Sequence, residues 1–446
     1  MTASNIRTNS WRILFLLFLA NLFNFFDRMI PSVVAEPMRK EWGLSDAQLG
    51  LAASAFTVVY AIAGLPLGRL ADRISRKKIL GMGLLCWSVL TGMTGLAWNF
   101  ASFFLARLAV GVGEACYAPA ATSLIGDLFP ANKRSRAMGI FMLGLPIGVV
   151  LAFFGIGWIV KATGDWKMPF FIAAVPGVLL AMLLFFIREP ARGASEPEGQ
   201  VYRTIENPIR HILAKPTVWW IIVAGTGLNM AAYAANSFIV PLIQRYYHQP
   251  IQTAALAAGI ILGLSGLIGL TVGATVADRL HRLGRRTRLL YGALSMLVSA
   301  VLIWIALSFE QQAFASFVAL FSLGWLLQYN FYTCAYPAMQ EIVPPNLRAT
   351  AMAIFFAVLY LFGGAAGPVI VGALSDHAAN AAMVQAGATT MTDAFKGIGL
   401  REAMIVIPVA LTVAGIALVA AMFTFVTDAA QHLPAETLNP AEKSLA

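Results

Sequence analysis

The stretch DLFPANKRSRAMGIF, residues 127–141, returns further along the chain as EIVPPNLRATAMAIF, residues 341–355. Aligned without gaps, Pro130, Asn132, Arg134, Ala137, Met138, Ile140 and Phe141 meet Pro344, Asn346, Arg348, Ala351, Met352, Ile354 and Phe355. Apolar identities arise by chance in an apolar chain, but a proline, an asparagine and an arginine in one register do not. A second echo precedes it: GRLADRISRKK (68–78) against VADRLHRLGRRTR (276–288), each an Asp-Arg pair followed by a basic cluster. Two echoes in the same order mark a parallel internal repeat; their unequal offsets place an indel between them within one half.

The repeated unit is a membrane one. Of the 446 residues 59% are hydrophobic and 12% charged, and mean hydropathy is +0.75, outside the range of soluble domains. Twelve apolar stretches are long enough to cross a ~30 Å hydrocarbon core. They run over 11–35, 46–70, 78–99, 100–127, 135–161, 166–187, 216–240, 252–277, 288–308, 311–340, 349–375 and 398–427. Each is read as a helix, because a lone strand in lipid leaves its backbone unpaired. The first carries two internal charges and no small-residue cleavage site, so it is a span and not a signal peptide.

The only long polar segment between spans, Arg188 to Lys215, divides six from six. The expected fold is thus an all-α membrane protein of twelve transmembrane helices in two six-helix bundles related by a parallel repeat. Its parts are an N-terminal bundle over 1–187, a cytoplasmic linker over 188–215 with an amphipathic stretch near Ile205 to Leu213, a C-terminal bundle over 216–428 and a disordered tail over 429–446. Most of the 31 Lys and Arg fall in alternate loops, which puts both termini in the cytoplasm of an inner or plasma membrane.

Cys86, Cys116 and Cys334 lie inside spans at spacings that match no metal or redox motif, and His211, His248, His281, His377 and His432 read as loop or tail residues. No metal site, cofactor or buried histidine relay is expected.

GRLADRISRKK resembles the signature loop of the major facilitator superfamily, GxxxDRxGRKK, with Ser75 where that pattern has glycine. The resemblance implies a cavity lined chiefly by spans 1, 4, 7 and 10 that opens alternately to each side. It also implies that Gly68, Asp72, Arg73, Arg76 and Lys77, with Asp127 at the end of span 4 and the repeated Asp278 and Arg279, form a gating loop. Arg73 is expected to pair with Asp127, and Asp72 to face the positive N-terminal end of span 11 near Asn346.

Four ionisable residues lie deep in spans, all in the N-terminal half: Asp27, Arg28, Arg107 and Glu114. Charges at such depth are costly and face a cavity or a partner. Asp27 and Arg107 each fall roughly 10–12 Å from the outer ends of their helices, at ~1.5 Å per residue, and so can pair. Glu114 follows Arg107 by two turns on the same face. Arg28 points about 100° away from Asp27, with a side chain long enough to reach Glu114. The four sum to zero. Burial raises a carboxylate pKa and a nearby arginine lowers it, so a network that rearranges switches a proton on or off; the alternative is a permanent lattice holding span 1 to span 4.

The C-terminal spans carry no deep charge. Span 7 shows Asn229, Tyr233 and Asn236 at helical spacing, and span 10 shows Tyr329, Asn330 and Tyr332, followed by Tyr336. With Asn24 they are candidates for the wall of a substrate cavity, the alternative being hydrogen bonds that join helices. An ionic wall facing a neutral aromatic one suits an amphiphile. Gly139, Gly144, Pro146, Gly148, Gly155 and Gly157 of span 5 and Gly363, Gly364, Gly367, Pro368 and Gly372 of span 11 mark gating helices or simple close packing.

NFFDR, RLAVGVGEACYAP, IGDLFPANKRS, GLPIG and TGDWKMPFF are similar to the Spinster family of lysolipid and sphingolipid transporters. That resemblance implies Asp27 and Glu114 as proton-handling acids with Arg28 and Arg107 as their partners. It implies protons as coupling ion, membrane lipids and a small amphiphile as partners, no nucleic acid, and a monomer. The helix 1 and helix 4 motifs also occur in anion symporters for sugar acids, which remain the alternative. A polytopic lipid-modifying enzyme or a sensor is disfavoured: there is no Ser/His/Asp set, no HExxH and no room for an output domain.

Overall fold

A computed structural model of the chain describes residues 3–129, 131–190, 207–281, 285–344 and 347–430. Most of the expected linker (191–206), the end of the expected tail (431–446) and Asn346 lie outside them, as do the side chains at Asp72, Arg73 and Asp278 and the surroundings of Gly68. Every regular element among the described residues is helical. The residues fall into two compact units, one within 1–200 plus 249–259, the other within 201–248 plus 260–446.

The first unit contains α1 (Ala3–Val33), α2 (Ala35–Trp42), α3 (Asp46–Arg73), α4 (Arg76–Thr94), α5 (Phe100–Ala115), α6 (Tyr117–Leu128), α7 (Ala131–Met142), α8 (Gly144–Thr163) and α9 (Met168–Phe185). It also takes α12 (Ile251–Ala258). The second holds α10 (Pro208–Leu213), α11 (Pro216–Arg245), α13 (Ser265–His281), α14 (Arg285–Ser308), α15 (Phe314–Gln328), α16 (Asn330–Glu341), α17 (Arg348–Val358), α18 (Ala366–Gln385), α19 (Asp393–Ala403) and α20 (Val406–Ala430). Among the described residues, 11 helical stretches are long and apolar enough to cross a membrane. The remaining expected span, 78–99, is α4, a helix of 19 residues that opens on Arg76, Lys77 and Lys78.

The repeat persists in the way helices break. Span 4 is interrupted at Cys116 between α5 and α6, and span 10 at Tyr329 between α15 and α16. The offset that carries Asp127 onto Glu341 carries Cys116 onto Asn330, beside Tyr329. Span 5 breaks at Leu143, and span 11 passes through a π-helical turn, Leu359–Gly364, at the corresponding level. A second π-helical turn, Gly259–Leu264, joins α12 to α13.

Small residues set the closest helix approaches. A Cβ on Gly144 or Gly148 would strike the backbone of α1 at Leu22, one on Gly177 would strike Ser88 of α4, and one on Gly363 or Gly367 the backbone of α11 at Thr226 or Met230. Gly157 sits on Ala255 of α12. Those glycines of spans 5 and 11 thus serve close packing, which in lipid replaces the hydrophobic drive between helices. In the first unit Leu17, Trp87, Tyr117 and Phe141 are buried together; the Tyr117 hydroxyl donates to Leu17 O at 2.6 Å and the Trp87 and Tyr117 rings meet edge to face at 5.2 Å. At the break in span 5, Asn21 Nδ2 donates to Phe141 O at 2.9 Å.

One expectation is corrected. Between the expected spans 349–375 and 398–427, α18 continues to Gln385 and α19 begins at Asp393, so that His377, read as a loop or tail residue, lies exposed on a helix. The described part of the amphipathic stretch before span 7 holds the six-residue α10, tied to α11 by Trp219 Nε1 donating to Leu213 O at 2.8 Å; Ile205 lies outside the described residues.

Candidate functional site

The four deep charges gather in the first unit. Span 1 carries Asp27 and Arg28; α5 carries Arg107 and, at its last turn before the break, Glu114. Asp27 and Glu114 are each 1% exposed and Arg107 3%. Arg28 Nε donates to Glu114 Oε2 at 2.7 Å, the pair that side-chain reach implied. The Arg28 guanidinium also sits among three rings, 4.5 Å from the Tyr60 centroid and 5.1 Å from those of Phe25 and Phe56.

The direct pair expected between Asp27 and Arg107 does not form. Arg107 lies over Phe56 at 5.1 Å, and its Nη1 has no acceptor. The cause is packing: Phe56 of α3 rests against Gly111, where α5 has no side chain, and offers its ring to the arginine one turn away. Asp27 Oδ2 takes a long hydrogen bond, 3.5 Å, from the Thr91 hydroxyl of α4 and interacts with Arg107 through space. Asp27 Oδ1, Glu114 Oε1 and Asn24 Nδ2 are buried without hydrogen-bond partners. Such groups are costly unless a proton, water or ligand satisfies them. Phe25, Phe56, Tyr60 and Thr91 were not singled out from sequence, because aromatics and threonines are common in spans and only the fold turns these toward the charges.

The polar stripes of the second unit divide. Asn229 Nδ2 turns back to Gly225 O at 3.2 Å and Asn236 Nδ2 to Ala232 O at 2.7 Å, bonds within α11 itself. Asn330, 1% exposed, donates to Ser295 Oγ of α14 at 3.0 Å and so joins helices. Tyr329 packs on Gly266 of α13, its hydroxyl 3.5 Å from Leu262 O. The tyrosines instead form a continuous aromatic cluster: Tyr329 with Tyr332 at 5.6 Å, Tyr332 with Tyr336 at 5.3 Å, Tyr336 with Phe355 and Phe356 at 5.5 Å, and Tyr233 with Tyr360 at 6.1 Å. Tyr360, brought in by the π-helical turn of span 11, had no sequence signal.

At the end of the first unit where α4 begins, Asp127 pairs with Arg76; the expected pair with Arg73 lies outside the described side chains. The Arg76 guanidinium, 1% exposed, donates to Asp127, to Glu189 Oε1 at 2.9 Å and to Pro190 O at 2.9 Å. Glu189 also accepts from Arg76 N at 3.0 Å and from Ser75 Oγ at 2.6 Å, capping α4 from the end of span 6. Burial pushes the Glu189 carboxyl up, but the hydrogen bonds from Ser75 and Arg76 outweigh it and bring it down to about 2. The second unit repeats half of this: Arg288 Nη2 meets Glu341 Oε1 at 2.9 Å, where Glu341 is the counterpart of Asp127. Lys77 is half-buried beside this latch, and Arg279 is exposed. At the opposite end, Glu41 accepts from Trp166 Nε1 at 2.5 Å and pairs with Lys167 at 3.0 Å.

The profile of the Major Facilitator Superfamily matches residues 17–368. The chain belongs to the Major Facilitator Superfamily. Among curated relatives of this transporter, Protein spinster homolog 1 of Xenopus tropicalis is 28% identical over 83% of this chain and 73% of its own length. An MFS-type efflux pump of Mycolicibacterium smegmatis is also 28% identical, over 82% of this chain and 85% of its own. Among solved structures, a bacterial homolog of the human lysosomal transporter Spinster, inward-facing and unoccupied, superposes with a TM-score of 0.86 at 25% identity, covering 96% of this chain and 99% of that one. A D-xylose-proton symporter, 18% identical with a TM-score of 0.67, shares the fold. The protein is thus an integral membrane transporter related to the Spinster proteins, with twelve helices in two six-helix bundles.

Proposed function

We propose that this transporter couples protons to the movement of an amphiphilic, lysolipid- or sphingolipid-like substrate by alternating access. In this reading it works as a monomer in an inner or plasma membrane, with both termini cytoplasmic and no cofactor besides the proton. The observation that carries it is the buried, charge-balanced set Asp27, Arg28, Arg107 and Glu114, in which only Arg28 and Glu114 are in ionic contact.

An unlinked Asp27 beside an unlinked Arg107 is a pair whose protonation depends on the distance between them, and that distance changes if α1 and α5 shift. A permanent lattice would close both pairs. The second unit by itself carries the aromatic cluster of Tyr233, Tyr329, Tyr332, Tyr336 and Tyr360, whose rings suit an apolar body and whose hydroxyls suit a polar neck. The resemblance to the Spinster family favours an amphiphilic cargo over a sugar acid.

The test is transport in proteoliposomes under an imposed pH gradient, with lysophospholipid and sphingosine-type substrates beside galactonate and glucuronate. Amphiphile movement driven by the gradient, lost in Asp27→Asn or Glu114→Gln, is the expected result. Gradient-driven uptake of the sugar acids alone would install the anion-symporter reading, and pH dependence retained in both variants would end the coupling.

A further inference from the structure

Arg28 occupies a receptor that is not specific to arginine. Its guanidinium is enclosed by Phe25, Phe56 and Tyr60 at 4.5–5.1 Å and closed by the Glu114 carboxylate at 2.7 Å. Three aromatic faces and one carboxylate are the elements by which proteins recognise organic cations. We propose that the Phe25, Phe56, Tyr60 and Glu114 box is a binding site for the ammonium head of a cationic or zwitterionic amphiphile. Arg28 is the tethered occupant that such a head displaces. This names the headgroup chemistry within the transport reading given above, and rests on it only for the word amphiphile.

Three observations favour exchange over a fixed lattice. The first is charge: with Arg28 withdrawn, Asp27, Glu114 and Arg107 hold two acids and one base. A buried, uncompensated carboxylate is strongly unfavourable, so the vacated box requires one cation or one proton. The second is the state of Glu114, whose Oε1 is buried without a donor while Oε2 holds Arg28.

The third is access. Glu114 is 0% exposed at its side chain and Arg28 11%, so the arginine forms the open side of the box. A long side chain on an intact helix withdraws by rotamer change alone. Arg107 cannot take its place: it lies over Phe56 alone, at 5.1 Å, and among the described residues makes no ring contact with Tyr60 or Phe25. Proton, Arg28 and substrate then compete for one carboxylate, which by itself makes substrate and proton exclude each other.

The experiment titrates methylguanidinium and tetramethylammonium into the purified full chain in detergent micelles, reading thermal unfolding and intrinsic fluorescence. Arg28→Ala empties the box. It is expected to bind either ion saturably, at least about tenfold more tightly than the wild type, with a rise in Tm at saturation. Arg28→Lys, which refills the box, is expected to behave as the wild type and controls for folding. Binding to Arg28→Ala should be lost on adding Tyr60→Leu or Glu114→Gln.

Absence of saturable binding in Arg28→Ala that still shows a cooperative melt overturns the proposal, as does binding indifferent to Tyr60 and Glu114. Should Arg28→Ala fail to fold, rescue of its melt by methylguanidinium supports the box, and a failure to rescue overturns it. Because these readings involve no transport, a protein that binds the ions yet moves no amphiphile refutes the transport reading and leaves the box standing. Amphiphile transport without ion binding does the reverse.

Discussion

Glu189→Gln tests whether the latch at the start of α4 holds the first unit together. The carboxyl is depressed from 4.5 to about 2, and a shift of that size corresponds to about 3 kcal/mol of stability. Its side chain is 18% exposed, so screening removes only part of this, leaving about 2–3 kcal/mol. The folded-state pKa lies below the unfolded one. The contribution is therefore complete above about pH 4.5 and disappears as pH falls toward 2.

Substitution by Gln keeps the shape but removes the charge opposite Arg76 and the α4 N-terminus. At pH 7 the variant should melt about 5 °C or more below the wild type, taking roughly 2–4 °C per kcal/mol for a unit of this size. At pH 2.5, half a unit above the folded pKa, about a quarter of the difference should remain, and it should all but vanish below pH 2. The assay is a thermal melt in micelles, read by tryptophan fluorescence from pH 2 to 7. A variant curve parallel to the wild type over the whole range would refute the assignment of acid sensitivity to Glu189.

Other outcomes follow from the same contacts. Arg76→Gln should cost about 3–5 kcal/mol, since it takes a buried cationic partner from Asp127, Glu189 and Pro190 O, whereas Arg288→Gln takes one from the partly exposed Glu341 and should cost less than half as much; equal melts would refute the ranking. Ser295→Ala removes the acceptor of buried Asn330 and should cost about 1–2 kcal/mol by the same assay, with transport kept if Asn330 only joins α16 to α14. Gly177→Ala drives a methyl into Ser88 and should cost about 1–3 kcal/mol, largely recovered in Ser88→Gly/Gly177→Ala; no recovery would refute direct contact as the cause.

Much of this was legible before any coordinates, for reasons that differ by residue. Arg28 and Glu114 were paired from depth and reach alone, because in a membrane helix depth converts directly from residue count. Asp27 and Arg107 satisfied the same arithmetic and do not pair. Depth fixes one coordinate of three, and it is silent about Phe56, which reaches Arg107 because Gly111 lets α3 close in. Asn229 and Asn236 matched a cavity stripe by spacing, yet each turns to the carbonyl four residues earlier, a bond that costs no helical geometry and leaves no periodic trace. Arg76 belongs to the gating set by sequence, but its pairing with Asp127 does not show there: Glu189, which holds the same guanidinium, sits beyond span 6 in a segment that composition marks only as polar. The break at Tyr329 and the π-helical turn that brings Tyr360 into the aromatic cluster had no sequence signal, since both are choices among nearly equal helical hydrogen-bond registers.

The two units diverged unevenly, and the pattern of loss is informative. What recurs in both lies at helix ends: an arginine facing the corresponding acids Asp127 and Glu341, supplied from different positions as Arg76 and Arg288, and the breaks at Cys116 and Tyr329. An arginine that neutralises an acid at the end of a neighbouring helix is needed in each unit whatever the cargo, because water at that level is close enough to compete for either charge. What only the first unit retains lies at depth, where each charge must be answered by another. Four such charges cannot be removed one at a time: losing any one of them leaves a net buried charge. Such a set persists or disappears as a whole. The second unit, free of it, carries instead the cluster of tyrosine rings, which bury area while keeping their hydroxyls.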